Sequence, residues 1–120
     1  RTTLAENGLT NDATMFGHLK RQITTYPDLG LAGPSLQWLN ESLLEMRELA
    51  KLPSPDLPCI TYLGSDEEIV HKGRIRDRMA AWPNGTLVEI PTGRHEMMMD
   101  APKMRDQLYD GMAGLFDQAP

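Results

Sequence analysis

The chain has 120 residues, with 12 Lys and Arg against 17 Asp and Glu and a formal net charge of −5. That length holds one domain or part of one, and an acidic balance without any basic block excludes a nucleic-acid or anionic-membrane surface as the main partner. A single Cys excludes an internal disulfide framework and a thiolate zinc cluster.

Leu, Ile, Val and Phe make up 25 of the 120 residues, close to the lower limit for chains that fold. A large self-sufficient core is therefore not expected, although 8 Met add apolar volume. Sixteen Leu against five Ile and two Val predict mostly helix with little strand. No apolar run approaches the ~18 residues of a membrane span. No targeting signal is visible, which carries no weight in a fragment. Asn40-Glu41-Ser42 and Asn84-Gly85-Thr86 match the glycosylation triplet, a pattern too short to predict modification.

Residues 1–10 are polar and irregular. Thr10 or Asn11 can cap a helix to about Thr25, with Met15, Phe16, Leu19 and Ile23 on one face. The turn-rich stretch from Tyr26 to Pro34 follows. A second helix starts near Pro34 or Ser35 and carries Leu36, Leu39, Leu43, Met46 and Ala50 on one stripe. Leu52 to Pro58 contains three prolines and reads as a stiff linker. Cys59 to Leu63 is a short apolar run ending at Gly64 and predicts a buried strand. Lys72 to Trp82 predicts a helix with Ile75, Met79 and Trp82 on one face, broken by Pro83-Asn84-Gly85. Thr86 to Ile90 predicts a second strand, and a last helix runs from about Pro102 to Phe116.

Strand, helix, strand, helix is a βαβ unit with a following helix. The crossover is long enough to require a parallel pair joined right-handedly. Two parallel strands do not make a domain, because a parallel sheet needs neighbours along its edges and cover on both faces. The sequence therefore reads as the tail of a larger α/β protein.

In open α/β sheets, function lies at the C-terminal ends of the strands. Gly64-Ser65-Asp66-Glu67-Glu68-Ile69-Val70 follows the first strand, and Pro91-Thr92-Gly93-Arg94-His95-Glu96 the second. Adjacent strands lie about 5 Å apart, so a carboxylate from one end can reach an imidazole from the other. Such a carboxylate fixes the tautomer and stabilises the imidazolium, leaving the second ring nitrogen free to take a proton from a nucleophile. Glu67 and His95 are 28 positions apart, which suits one crossover. The competing reading is a solvated acidic loop and a surface histidine.

The stretch from Leu57 to Phe116 resembles the end of the α/β-hydrolase fold, in particular bacterial lysophospholipases and monoacylglycerol-lipase-like esterases. Those families carry Gly-x-x-acid-x-Ile-Val after the penultimate core strand and Gly-x-x-His-Glu after the last. Here Gly64-Ser65-Asp66-Glu67-Glu68-Ile69-Val70 and Gly93-Arg94-His95-Glu96 stand in those places, the second one residue shorter before His. Asn7-Gly8-Leu9-Thr10-Asn11-Asp12, and Leu29-Gly30-Leu31-Ala32-Gly33-Pro34 with Ser35 to Leu39, are similar to the end of that group's helical cap and the return to the core. The resemblance implies that residues 1–33 end a cap and residues 34–120 form the C-terminal part of the core. The family spacing places the acid at Glu67, with Asp66 as the alternative, because Asp is the commoner acid in the wider fold and only one of two neighbouring loop residues reaches His95.

A nucleophile elbow Gly-x-Ser-x-Gly is not found. Ser35 enters a helix with no preceding strand, Ser42 is mid-helix, Ser54 lies between prolines and Ser65 is on the acid loop. The resemblance places the nucleophile and oxyanion donors upstream. His95-Glu96-Met97-Met98-Met99 begins like a zinc-protease helix, but Met99 occupies the position of the second His, and no metal or other cofactor is expected. His71 opens a helix and Cys59 starts a buried strand, with no chemistry assigned to either. Met97 is a candidate acyl-pocket residue, since Met adapts to flexible chains. Trp38 is a candidate pocket flank, against the alternative that it packs in the core.

The resemblance implies a serine hydrolase cleaving carboxylic esters, of lysophospholipids or monoacylglycerols, with the N-terminal half of the protein as partner, in the same or a separate chain. The alternatives are another hydrolase on this fold, such as a small-ester esterase or an aminopeptidase-like enzyme, and a non-catalytic binding protein. The expected compartment is the cytoplasm or the inner-membrane periphery, with peripheral membrane contact and no nucleic acid.

Overall fold

Two strands carry the described architecture, β1 (Cys59–Gly64) and β2 (Gly85–Ile90), paired in parallel with Cys59 opposite Gly85 and Gly64 opposite Ile90. The structure is a computed structural model and describes residues 3–31 and 33–118. Arg1, Thr2, Ala32, Ala119 and Pro120 lie outside the described residues, and with them parts of the expected cap (1–33) and core (34–120) segments.

Four helices accompany the strands: α1 (Ala13–Thr25), α2 (Leu36–Leu49), α3 (Lys72–Ala80) and α4 (Pro102–Asp117). The cap of α1 is Asp12, whose carboxylate accepts from the Met15 amide, rather than Thr10 or Asn11. The Thr10 hydroxyl is already used: it donates to the Met99 carbonyl, 89 residues later, and accepts from the Asp12 amide. Tyr26 ends α1 because Pro27 follows it, and Pro27–Leu29 forms a 3₁₀ turn. Ser35 caps α2 through its hydroxyl, which accepts from the Trp38 amide at 3.1 Å. The His71 imidazole caps α3, its Nδ1 accepting from the Arg74 amide. That helix stops at Ala80, two residues short of expectation, and the Trp82 indole instead donates to the Leu57 carbonyl across the linker. Pro102 occupies the first turn of α4, where its missing N–H costs nothing.

Side chains on a strand alternate between faces, so α3 and α4 cover opposite sides of the sheet. Thr61 donates to the Met79 sulfur of α3. Tyr62 and Ile60 face α4, where a Cβ on Gly111 would stand 1.7 Å from the Tyr62 hydroxyl. Gly111 is thus what lets α4 lie flat on β1. The main core is on this side, with Ile90, Met97 and Leu108 buried and Tyr62, Val88 and Met104 packed around them. The first four residues of β1 are only half-buried, contrary to the expected buried strand, because one helix per face cannot seal a pair of strands. No residue of α1 or α2 is buried. The C-terminal end of α2 is held by Arg78, whose guanidinium donates to the Leu49 and Leu52 carbonyls at 2.7 and 3.0 Å.

Candidate functional site

The two loops that leave the C-terminal ends of β1 and β2 are bound together by backbone contacts. The Ser65 amide donates to the Ile90 carbonyl and the Asp66 amide to the Gly93 carbonyl, each at 2.9 Å. The Thr92 amide donates to the Ser65 hydroxyl at 2.8 Å. Thr92 has φ 61°, in the left-handed region that a β-branched residue rarely enters. The loop therefore turns sharply just before Gly93, and His95 is directed back towards the first loop.

There the imidazole meets Glu67. His95 Nδ1 and Glu67 Oε2 are 2.7 Å apart. The other carboxylate oxygen, Oε1, accepts from the Ile69 amide at 2.5 Å and the Val70 amide at 3.1 Å. Both oxygens are thus engaged, and the Glu67 side chain is only 5 % exposed. Burial presses its carboxyl upward. The bond from His95, the two amides and the attraction of the imidazole outweigh burial and hold its pKa below the ordinary 4.5. Glu67 is therefore ionised near neutral pH and can only accept, so Nδ1 of His95 carries the proton and Nε2 is the basic nitrogen. The His95 side chain is 35 % exposed, and among the described residues no hydrogen bond occupies Nε2. This arrangement can withdraw a proton from a group presented to Nε2 and stabilise the resulting imidazolium.

Asp66 is exposed and faces away, its carboxylate accepting from the Ser65 hydroxyl at 2.9 Å. The structure thus brings Glu67, not Asp66, to His95. Met97 is 7 % exposed, packed with Ile90 and Leu108, so it lies in the core and not on an open ligand surface. Trp38, in the first turn of α2, is 59 % exposed, and no hydrogen bond joins it to either loop. None of the four serines bonds to His95. Ser35 caps α2, Ser54 accepts from Arg78, and Ser65 joins Asp66 to Thr92. Among the described residues, no group of three or more His, Cys, Asp or Glu is placed to hold a metal ion. No described helix is long and apolar enough to cross a membrane.

Sequence reasoning placed Ser65 only on the acid loop, and read Asn7–Thr10 only as similar to the end of a helical cap with Thr10 a candidate helix cap; it linked neither to the His95 loop. Ser65 gave no signal apart from its place after a strand. The polar run Asn7 to Asp12 did carry the chemistry of an Asx turn, but its contact with a loop some 85 residues later is a tertiary fact.

The two parallel strands and four helices are compatible with an α/β fold. Over 103 residues the chain is 25% identical to the Haemophilus influenzae protein named "probable lysophospholipase L2", a match covering 85% of this chain and 33% of that protein. The chain is thus distantly similar to a lysophospholipase and spans about a third of the length of the curated relative it matches. No family model matches the chain, and no solved structure matches it.

Proposed function

We propose that these residues supply the acid and the histidine of a serine hydrolase that cleaves carboxylic esters of lysophospholipids or monoacylglycerols. Glu67 is the acid and His95 the general base. The nucleophilic Ser and the oxyanion donors lie in the N-terminal part of the full-length protein, which also partners the sheet. The observation that carries this reading is the 2.7 Å bond between His95 Nδ1 and a Glu67 carboxylate whose second oxygen is pinned by two backbone amides. The distant similarity to a lysophospholipase supports the substrate class.

In this mechanism Nε2 of His95 accepts the Ser hydroxyl proton as the oxygen attacks the acyl carbonyl. The imidazolium, held by ionised Glu67, then gives that proton to the leaving alkoxide. Water attacks the acyl-enzyme with His95 again as base, releasing the carboxylic acid and restoring Ser. No step uses a cofactor.

The test is hydrolysis of lysophosphatidylcholine and monoacylglycerol by the full-length protein, with free fatty acid as the readout. His95→Ala should lower turnover by several orders of magnitude, and a fluorophosphonate should label one Ser in the wild-type protein. Undiminished hydrolysis by folded His95→Ala, or activity lost to a chelator and restored by zinc, would overturn the reading.

A further inference from the structure

The loop that carries His95 is bound along its length by a segment more than eighty residues earlier in the chain. The His95 amide donates to the Gly8 carbonyl at 3.3 Å, and the Glu96 amide to the Leu9 carbonyl at 2.7 Å. The Arg94 guanidinium donates to the Leu4 and Asn7 carbonyls. The Thr10 hydroxyl donates to the Met99 carbonyl at 2.7 Å, and the Asn11 side-chain amide to the Thr92 carbonyl at 2.7 Å. The bonds thus run from the strained turn before His95 to the 3₁₀ turn after it.

The segment is itself rigid. Asn7 Oδ1 accepts from the Leu9 and Thr10 amides, both at 3.0 Å, and its Nδ2 donates to the Leu4 and Thr10 carbonyls. Every polar atom of that side chain is used, and Asn7 is 6 % and Thr10 0 % exposed. A buried polar network with all its members satisfied specifies one geometry. The Asn7 side chain bonds only within residues 4–10 and so fixes the shape of the segment. The segment's Gly8 and Leu9 carbonyls and the Thr10 hydroxyl then hold main-chain atoms of the His95 loop, which transmits that shape to the backbone from which the imidazole projects.

We infer that Asn7 and Thr10 are positioning residues for His95: they hold the loop at residues 92–99 so that Nδ1 stays on Glu67 and Nε2 faces the reacting proton. This rests on the hydrolase reading and adds to it the part of the chain that sets the aim of the base. Neither residue touches substrate in this account. Misplacing a catalytic group by about 1 Å can cost on the order of 100-fold in rate without weakening binding.

The experiment uses full-length protein with Thr10→Val, which keeps the shape and removes the hydroxyl, and Thr10→Ser, which restores it. Two readouts are followed: kcat and KM for ester hydrolysis, and the proton resonance of His95 Nδ1–H, which lies far downfield while that hydrogen is shared with Glu67. Thr10→Val should lower kcat by about 10- to 100-fold with KM nearly unchanged, and should shift or broaden the Nδ1–H resonance. Thr10→Ser should restore both. If Thr10→Val fails to fold, Asn11→Ala removes the more exposed bond to the Thr92 carbonyl and should show the same pattern, weaker. A folded variant with wild-type kcat and an unmoved resonance overturns the inference, as does a kcat loss that only matches the loss of titratable active sites. If His95→Ala leaves hydrolysis intact, the hydrolase reading fails by itself. The resonance then still decides whether the segment positions His95.

Discussion

Gly64 and Gly93 approach so closely that a Cβ on Gly64 would stand 2.1 Å from the Gly93 carbonyl oxygen and 2.4 Å from its carbonyl carbon. The contact is main chain against main chain, so no side chain can swing aside to relieve it. It is also what lets the two loops share the hydrogen bond from the Asp66 amide to the Gly93 carbonyl. The Glu67–His95 pair depends on this contact, since each residue sits only two or three positions beyond one of the glycines.

Gly64→Ala should therefore destabilise the full-length protein by about 1–3 kcal/mol, as overpacking does, and reduce hydrolysis by more than the loss of folded protein explains. Gly114 is the control. It lies within α4 with nothing within 4 Å of its would-be Cβ, and Gly114→Ala should stabilise by roughly 0.5–1 kcal/mol through helix propensity. Denaturant unfolding measures both, and equal effects from the two substitutions would show that the loop contact is relaxed.

Glu67→Gln and Asp66→Asn separate the two adjacent carboxylates. Glu67→Gln leaves His95 with a neutral partner that favours the wrong tautomer, and turnover should fall by about 10⁴-fold, as it does in other triads. Asp66→Asn removes only an exposed bond from Ser65 and should change turnover by less than about 10-fold. Steady-state kinetics on one ester decides this, and the reverse ranking would reassign the acid.

The depressed pKa of Glu67 has a stability counterpart. Its folded value lies below the ordinary 4.5, so the contribution is complete above about pH 4.5 and is lost as pH falls through the folded value. Glu89 is depressed too, first by its hydrogen bond from Arg76, in an exposed bidentate pair. The two differ in screening. Glu67→Gln should flatten the acid limb of stability against pH at low and high salt alike, whereas the effect of Glu89→Gln should fade with added salt. Denaturant midpoints between about pH 3 and 6 provide the check.

The parts of this fold that depend on local pattern are legible in the sequence. Apolar runs bounded by Gly and Pro marked β1 and β2 to within one residue, and their parallel pairing followed from the length of the crossover. Glu67 was legible only through the family resemblance, whose spacing from Gly64 and from Ile69-Val70 favours it while leaving Asp66 as the alternative. The contact with His95 is made by Glu67. What sequence could not reveal was long-range. Met97 follows His95 closely enough to look like pocket lining, yet the 3₁₀ turn at Met97–Met99 rotates it into the core against Leu108. Thr10 looked like a helix cap, but its hydroxyl was claimed by Met99 from the far end of the chain. Periodicity carries no information about such partners.

The apolar surface of residues 1–120 sets the last expectation. Leu31 is 90 %, Leu36 86 % and Phe116 73 % exposed, and the stripe along α2 is open at Leu39, Leu43 and Met46. Against this, the buried apolar residues among those described are Leu63, Met79, Ile90, Met97 and Leu108. Five buried apolar side chains make a small core for a chain of this length, and among the described residues the outer edges of β1 and β2 have no strand beside them. Residues 1–120 expressed alone should thus self-associate, running well above the 13.5 kDa monomer, bind a hydrophobic dye and unfold over a broad range. Adding the N-terminal part of the protein should sharpen unfolding and suppress the dye signal. Mass in solution and thermal unfolding with and without that part decide the matter. A monomer of residues 1–120 that unfolds in one sharp transition would show that these faces need no cover. Ester turnover by that monomer, abolished by His95→Ala, would place the nucleophile among these residues.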